Sequence, residues 1–487
     1  MSTINESAIK TPGVYVNEIP SFPPSVAQVA TAIPVFIGYT KIALDEDGIS
    51  LKNVPTKIYN LKEYELYFGT ADGEEEISVV IDKKFDKSGE GGKLLSMSAK
   101  ATNDGQSENI MYYSMRLFFD NGGGQCYIVS VGTTGAAVKD SELLAGLNAV
   151  EAYDEPTIIV IPEGQALNED KYYSLMGSAI DQCAKLQDRF TIVDVHTRDN
   201  TTDKSINNFR TKFGKTDSLN YAAAYYPNLK TTYDYAYADA SVDVTINTIF
   251  ADGTAATTVE TTLDKLLVTA DNITAKTANG GDYSASLAAI QKLSPELPPS
   301  PAAAGIYAKT DGSRGVWKAP ANVSVSGIYD VTDFVTSEEQ ENMNIDTTAG
   351  KSVNAIRPFT GKGILVWGAR TLDGNSNEWR YVSVRRFFIM VEESAKKASA
   401  QFVFEPNDAN TWVKIRAMIE NYLTILWRQG ALAGAKPEHA FFVKIGLGQT
   451  MTAIDILEGR MIVEIGMAAV RPAEFIVLRF SHKMQES

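Results

Sequence analysis

The chain has 487 residues, 44% of them hydrophobic and 22% charged, with a formal net charge of −15 at pH 7. That length exceeds one ordinary core and sets an expectation of about three domains; the composition excludes a disordered chain, and the acidity excludes a general nucleic-acid binder. No run approaches the roughly 18 apolar residues a membrane-spanning helix needs, and MSTINESAIK lacks the basic and apolar stretches of a secretory signal.

Residues 1–30 carry TPGVYVNEIPSFPPSV, whose four prolines forbid a helix and favour extended chain, so they are expected to form an arm. IPVFIGYT then predicts a buried strand, and LKEYELYFG, with Leu61, Tyr64 and Phe68 at helical spacing, a short amphipathic helix. Residues 70–108 are acidic and rich in Gly and Ser, the composition of a loop or insertion. CYIVSV, SELLAGLNAV, TIIVIP, a helix over 169–186 and FTIVDVH alternate strand and helix. Their strands are continuous apolar runs, as parallel strands covered on both faces require, and YAAAYYP adds another strand to an open α/β sheet. Cys126 and Cys183 fall within these apolar patterns and are expected as buried free thiols in a reducing compartment.

Residues 231–294 are rich in Thr, Ala and Asp, with alternation at Val242, Val244 and Ile246, and read as an exposed β-rich insertion closed by ELPPSP. GILVWGAR and WRYVSVRRFFIMVEES predict a return to strand and then helix. In NDANTWVKIRAMIENYLTILWRQG, Asp408 or Asn410 suits the helix cap, Trp412, Ile415, Ile419, Tyr422, Leu423 and Leu426 form one apolar face, and Gly430 ends it. AFFVKIGL, RMIVEIGMAAV and AEFIVLRF predict three strands, which with the long helix make a C-terminal α+β domain. Charge divides along the chain: from Lys351 onward there are 18 Lys and Arg against 13 Asp and Glu, leaving 27 against 47 before it.

Catalytic and metal chemistry finds little footing. Asp194 and His196 share one side of a strand, but there is no GxSxG elbow and only three histidines. His196, His439 and His482 have no metal-ligand spacing, and DNGGGQCY lacks a Walker lysine and a GxGxxG turn. GIYAKTDGSRGVWKAPAN (305–322) reads as a polar loop, suited to a ligand cradle or to a structural joint.

AAAGIYAKTDGSRGVWKAPANVSVSGI, followed by NAIRPF, VWGARTL, YVSVRRFFIMVEES, FEPND and GALAG, resembles the sheath protein of contractile phage tails and contractile injection systems. TPGVYVNEIP, YAAAYYPNL and PAEFIVLRFSHK are similar to further segments of that family, in order from residue 11 to 482 apart from about 70–108 and 231–294; Asn228 departs from the family's frequent tryptophan. The resemblance implies four parts: an extended arm over 1–30, an α/β domain over 31–230 with 295–380, a variable insertion over 231–294, and a C-terminal domain over 381–487 that faces an inner tube and ends in an exchange strand. The α/β domain is expected to be subtilisin-like without catalytic residues. The family further implies a non-enzymatic subunit without cofactor or metal, polymerised as stacked hexameric rings around an inner tube protein, beside baseplate and tail-terminator partners. It would contact no nucleic acid directly and would not insert directly into a membrane. It would be made without a signal peptide in the bacterial cytoplasm, as part of a phage tail or injection particle.

Strand exchange is then expected through Val14, Tyr15, Val16 and Glu18 at one end and Phe475, Ile476, Val477 and Leu478 at the other. The acceptor hairpin would hold Phe442, Val443, Ile445, Ile462, Val463 and Ile465. Lys414, Arg416, Arg428 and Lys436 are the expected contacts to an acidic tube. In the 305–322 loop, Asp311 and Arg314 are expected to pair, Gly312 and Gly315 to supply turns, and Trp317 to anchor a structural joint. Two alternatives stand beside this one: a non-catalytic hydrolase-like module binding peptide or sugar, and a tail protein that terminates the sheath.

Overall fold

The computed structural model describes residues 25–89, 92–196, 202–266 and 273–479, with the backbone alone at 202–203 and 273–280. It divides into two compact units, one built from Ala30–Met390 with the chain from Arg471, the other from Val391–Val470 with the chain up to Val29.

The first unit is organised on a nine-stranded sheet. Six parallel strands form its middle, in the order Val353–Phe359, Ala222–Tyr226, Phe190–Asp194, Ile158–Val160, Pro34–Thr40 and Cys126–Thr133. Short antiparallel strands flank them: Thr56–Ile58 at one edge, Gly363–Val366 and then Val323–Ser324 at the other. Every residue of Pro34–Thr40, Phe190–Asp194 and Ala222–Tyr226 is buried, because helices cover both faces. Phe36 points to the helix Met111–Asp120, its ring 5.0 Å from that of Phe118. Its neighbour Ile37 points the other way, to Gly146 of the helix Asp140–Val150, as the two-residue period of a strand dictates.

The segment 70–108 differs from the expectation of a loop. Ile77–Phe85 and Leu94–Asn103 form an antiparallel hairpin, and Ile77–Phe85 pairs in parallel with Asp243–Phe250, itself paired with Thr257–Thr262. The two acidic, poorly matching segments therefore make one four-stranded sheet. It has its own core, in which Ile77, Val79, Ile81, Val242, Val244 and Leu263 are buried with Ala289 and Ile290.

The 305–322 stretch is corrected as well: Ser300–Arg314 is a helix, with Ala302, Ala303, Ala304, Ile306 and Tyr307 buried. Gly312 lies inside it, and only Gly315, at φ +87°, supplies the left-handed geometry that ends it. The strand and then helix expected over 363–370 and 379–394 are the strand Gly363–Val366 and the helix Val382–Ser399. Val382 through Phe387 are all buried, so no amphipathic period marks that turn of the helix.

The second unit holds the helix Ala409–Arg428 and a two-stranded antiparallel sheet of Phe441–Lys444 and Glu464–Met467. Of the strands expected over 460–470 and 473–480, only Glu464–Met467 joins a ladder; residues 471–479 carry no strand.

Candidate assembly interface

In the second unit Asp408, not Asn410, caps the long helix, its carboxylate accepting from Thr411 N at 3.0 Å. Ile415, Met418, Ile419, Tyr422, Leu423 and Leu426 make the buried face. In the hairpin, Phe442 faces Gly466 and Val443 faces Ile465. Val443 and Ile445 turn inward, 7% and 1% exposed, while Phe442 is 43% exposed. The Phe442 ring lies over Gly466, where an added Cβ would fall 2.2 Å from Cε1. Of the six residues expected in the acceptor, Phe442, Val443 and Ile465 stand in the ladder, and Ile445, Ile462 and Val463 flank it. Neither strand has a second ladder partner among the described residues. Each thus keeps an outer edge of backbone donors and acceptors, a template for another strand.

The chain after Val470 carries an exposed apolar row. Phe475, Ile476, Val477 and Leu478 are consecutive and 68–78% exposed. Burying such side chains is worth roughly 1.5–3 kcal/mol each, so this row is a surface awaiting cover. Just before it, Glu474 is held firmly. Arg370 Nε and Nη2 donate to its two carboxylate oxygens at 2.9 and 2.6 Å, Asn344 Nδ2 donates at 2.8 Å, and Tyr381 OH at 3.1 Å. Burial works to raise the Glu474 carboxyl, but these donors outweigh it and hold it below its ordinary value. Val14, Tyr15, Val16 and Glu18, the residues expected to exchange at the other terminus, lie outside the described residues.

The expected tube contacts divide. Lys414, Arg428 and Lys436 are exposed, and Lys414 and Arg428, 14 positions apart, share one side of the helix. Arg416 is half-buried and donates from Nη2 to the Ile445 carbonyl at 2.5 Å, bracing the hairpin.

Asp311 does not pair with Arg314 but has other partners. Asp311 receives Arg386 Nη1 and Nη2 at 3.1 and 2.6 Å and Thr31 Oγ1 at 2.6 Å. Arg386 Nη2 also donates to the Thr31 carbonyl at 2.7 Å, and its guanidinium lies 4.6 Å from the Tyr307 ring centre. Arg314 is exposed, and the half-buried Trp317 meets Phe387 edge-on. Sequence reasoning missed Arg370, Arg386 and Glu474; the signal was the Arg385–Arg386 pair set inside an apolar run, since buried charge is rare unless paired.

Among the described residues Asp194 is bonded to Ser300 and builds no hydrolytic constellation. Its carboxylate receives Ser300 N and Oγ at 2.8 and 2.5 Å, and burial pushes it up to about 7. His196 turns Nε2 to the Leu167 carbonyl at 3.1 Å. Glu163, also buried, receives Tyr39 N and Met111 N at 2.6 and 3.1 Å. Glu163 is thereby spent on backbone, holding the end of a strand and the start of the 111–120 helix, and Asp194 is spent on the N–H and hydroxyl of Ser300 at the start of the 300–314 helix. Among the described residues no group of His, Cys, Asp and Glu is placed to hold a metal ion, and no helix is long and apolar enough to cross a membrane.

A family model described as the phage tail sheath C-terminal domain matches residues 375–483. Among solved structures, the chain is similar to the sheath complex of an extracellular contractile injection system, PVC, in its contracted state: 31% identity, TM-score 0.63, 98% of each chain covered. The helical sheath of the anti-feeding prophage in its contracted state is 30% identical, with a TM-score of 0.62 over 98% of this chain and 100% of that one. The tail sheath protein of Vibrio phage KVP40 is 26% identical over 121 residues, which are 25% of this chain and span 18% of that protein's length.

Proposed function

The chain belongs to the contractile sheath family, and from that membership we propose that it polymerises with itself, as stacked hexameric rings around an inner tube protein, into a sleeve that contracts to drive the tube through a cell envelope. It would form part of a phage tail or injection particle, anchored at a baseplate and closed by a terminator protein.

One observation carries this reading: the same chain holds an exposed apolar arm, Phe475–Leu478, and a hairpin with open edges, Phe441–Lys444 and Glu464–Met467. An extended arm gains little on its own subunit, yet on a neighbour's hairpin it both spends backbone hydrogen bonds and buries its side chains. The N-terminal arm, through Val14, Tyr15, Val16 and Glu18, is assigned to the remaining edge. Donor and acceptor in one molecule favour an open-ended polymer over a terminator, which needs only one of the two, and over a monomeric binding module, which needs neither. Strands so exchanged tether subunits while their globular surfaces move between two packings, and no nucleotide is required.

The α/β unit is assigned a subtilisin-like ancestry with its chemistry gone, and the protein is not an enzyme. The pairing of Asp194 with Ser300 rather than with His196 supports this, since a triad needs the imidazole between the two. Lys414, Arg428 and Lys436 are proposed as the contact to an acidic tube surface; Arg416, committed to Ile445, leaves that set.

Negative-stain electron microscopy of the purified full-length chain tests the proposal. Hollow, helically striated cylinders are expected, and Ile476→Asp with Val477→Asp should abolish them while leaving the subunit folded. Cylinders that survive the double substitution would refute exchange through this arm, and a wild-type chain that stays small would refute the sheath role.

A further inference from the structure

The exposed arm poses a problem of register. Strand pairing is specified when one face is apolar and the other polar, because a slip of one residue then turns the apolar set outward. Here the four consecutive apolar residues leave no such asymmetry: Phe475 and Val477 are 68% and 77% exposed, Ile476 and Leu478 78% and 72%. Either face would satisfy an acceptor, so the arm's own sequence specifies its register weakly.

The residue immediately before it is fixed on every side. The Glu474 carboxylate takes four donors, from Arg370, Asn344 and Tyr381. Arg370, with its side chain 4% exposed, also donates from Nη1 to the Asn344 and Gly374 carbonyls at 3.1 and 3.3 Å, which with its two bonds to Glu474 engages four of its five N–H donors. A paired, two-pronged guanidinium–carboxylate contact fixes orientation as well as position. From Phe475 to Leu478 every side chain is exposed.

We propose that the Arg370–Glu474 clamp, steadied by Asn344 and Tyr381, is the device that sets the register of the C-terminal arm, by making Phe475 its first free residue and so deciding which face each apolar side chain presents to a neighbouring subunit's hairpin. The proposal rests on the sheath reading. A second clamp of the same kind, Arg386–Asp311 with Thr31, stands where the chain leaves the α/β unit near Thr31 and again after Arg386. It fixes two further roots, but ambiguous register is a property of the C-terminal arm.

The test separates the root from the arm by inserting glycine between Glu474 and Phe475 in the full-length chain and scoring sheath yield by electron microscopy. One inserted residue inverts the faces and should cut yield about tenfold or more, whereas two restore them and should recover most of it. Equal yields from the two insertions overturn the proposal. The clamp is tested in parallel by charge exchange: Glu474→Arg and Arg370→Glu should each lose sheath, and the double exchange should regain it. Failure to regain sheath despite an unchanged melting temperature counts against the clamp. If the wild-type chain itself forms no sheath, the sheath reading falls and takes this proposal with it; normal wild-type sheath with indifferent insertions removes the proposal alone.

Discussion

Asp194 shows how a single buried group writes itself into pH behaviour. It is raised to about 7 by burial, against the pull of the two hydrogen bonds from Ser300. A carboxyl raised on folding binds its proton more tightly in the folded chain, so its contribution to stability declines as pH climbs from about 4 towards 7. Asp194→Asn removes that titration at small steric cost, because the Ser300 hydroxyl can turn to accept from the new amide. Thermal unfolding across pH should show the variant gaining on the wild type between pH 4 and pH 7; parallel curves would show that Asp194 does not carry the dependence. The sequence made legible that Asp194 and His196 lie on one side of a strand, since period two is local. It could not reveal that the decisive partner is Ser300, 106 residues away. For the same reason Asp311 was assigned to the nearby Arg314 when the structure gives it to Arg386.

The helix Ser300–Arg314 carries the clearest lesson among the elements. Its glycines, Lys309, Asp311 and Arg314 have the composition of a loop, yet its first turns are buried small residues against the helix Met111–Asp120. Gly305 permits that approach: an added Cβ would lie 2.5 Å from the Phe118 carbonyl oxygen, a backbone atom that cannot step aside. Gly305→Ala should therefore cost about 1–3 kcal/mol, the usual penalty of overpacking. Gly312, in the same helix, has open space around it, so Gly312→Ala should stabilise by about 0.5–1 kcal/mol through chain entropy alone. Opposite shifts in melting temperature are expected, and equal shifts would refute the close-contact account. The 70–108 segment teaches a related point. Its composition hid the alternation of Ile77, Val79 and Ile81, and the parallel partner at 243–250 lies in a remote insertion that no local pattern connects to it. By contrast five of the six parallel strands and the 409–428 helix were legible because their apolar patterns need no distant partner to be recognised, whereas Val353–Phe359, interrupted by Asn354, Arg357 and Pro358, was not read as a strand.

At the scale of the whole molecule, charge should govern two associations in opposite directions. The chain carries −15 overall, and its first 350 residues hold 27 basic against 47 acidic groups. Copies brought side by side in a sheath therefore repel through their acidic parts. Salt weakens that repulsion, the screening length falling from about 10 Å at 0.1 M to about 3 Å at 1 M, while the apolar contacts proposed for the Phe475–Leu478 arm carry no charge to screen. Sheath formation by the chain alone should rise with ionic strength. Contact with an acidic tube through the exposed Lys414, Arg428 and Lys436 should instead weaken over the same range. Sedimentation of sheath without tube, and of tube with captured subunit, across a salt series reads both trends, and Lys414→Glu with Arg428→Glu should remove the second while leaving the first intact. Tube capture that strengthens with salt would show an apolar contact in place of the basic one, and would move the tube-facing surface away from this side of the 409–428 helix.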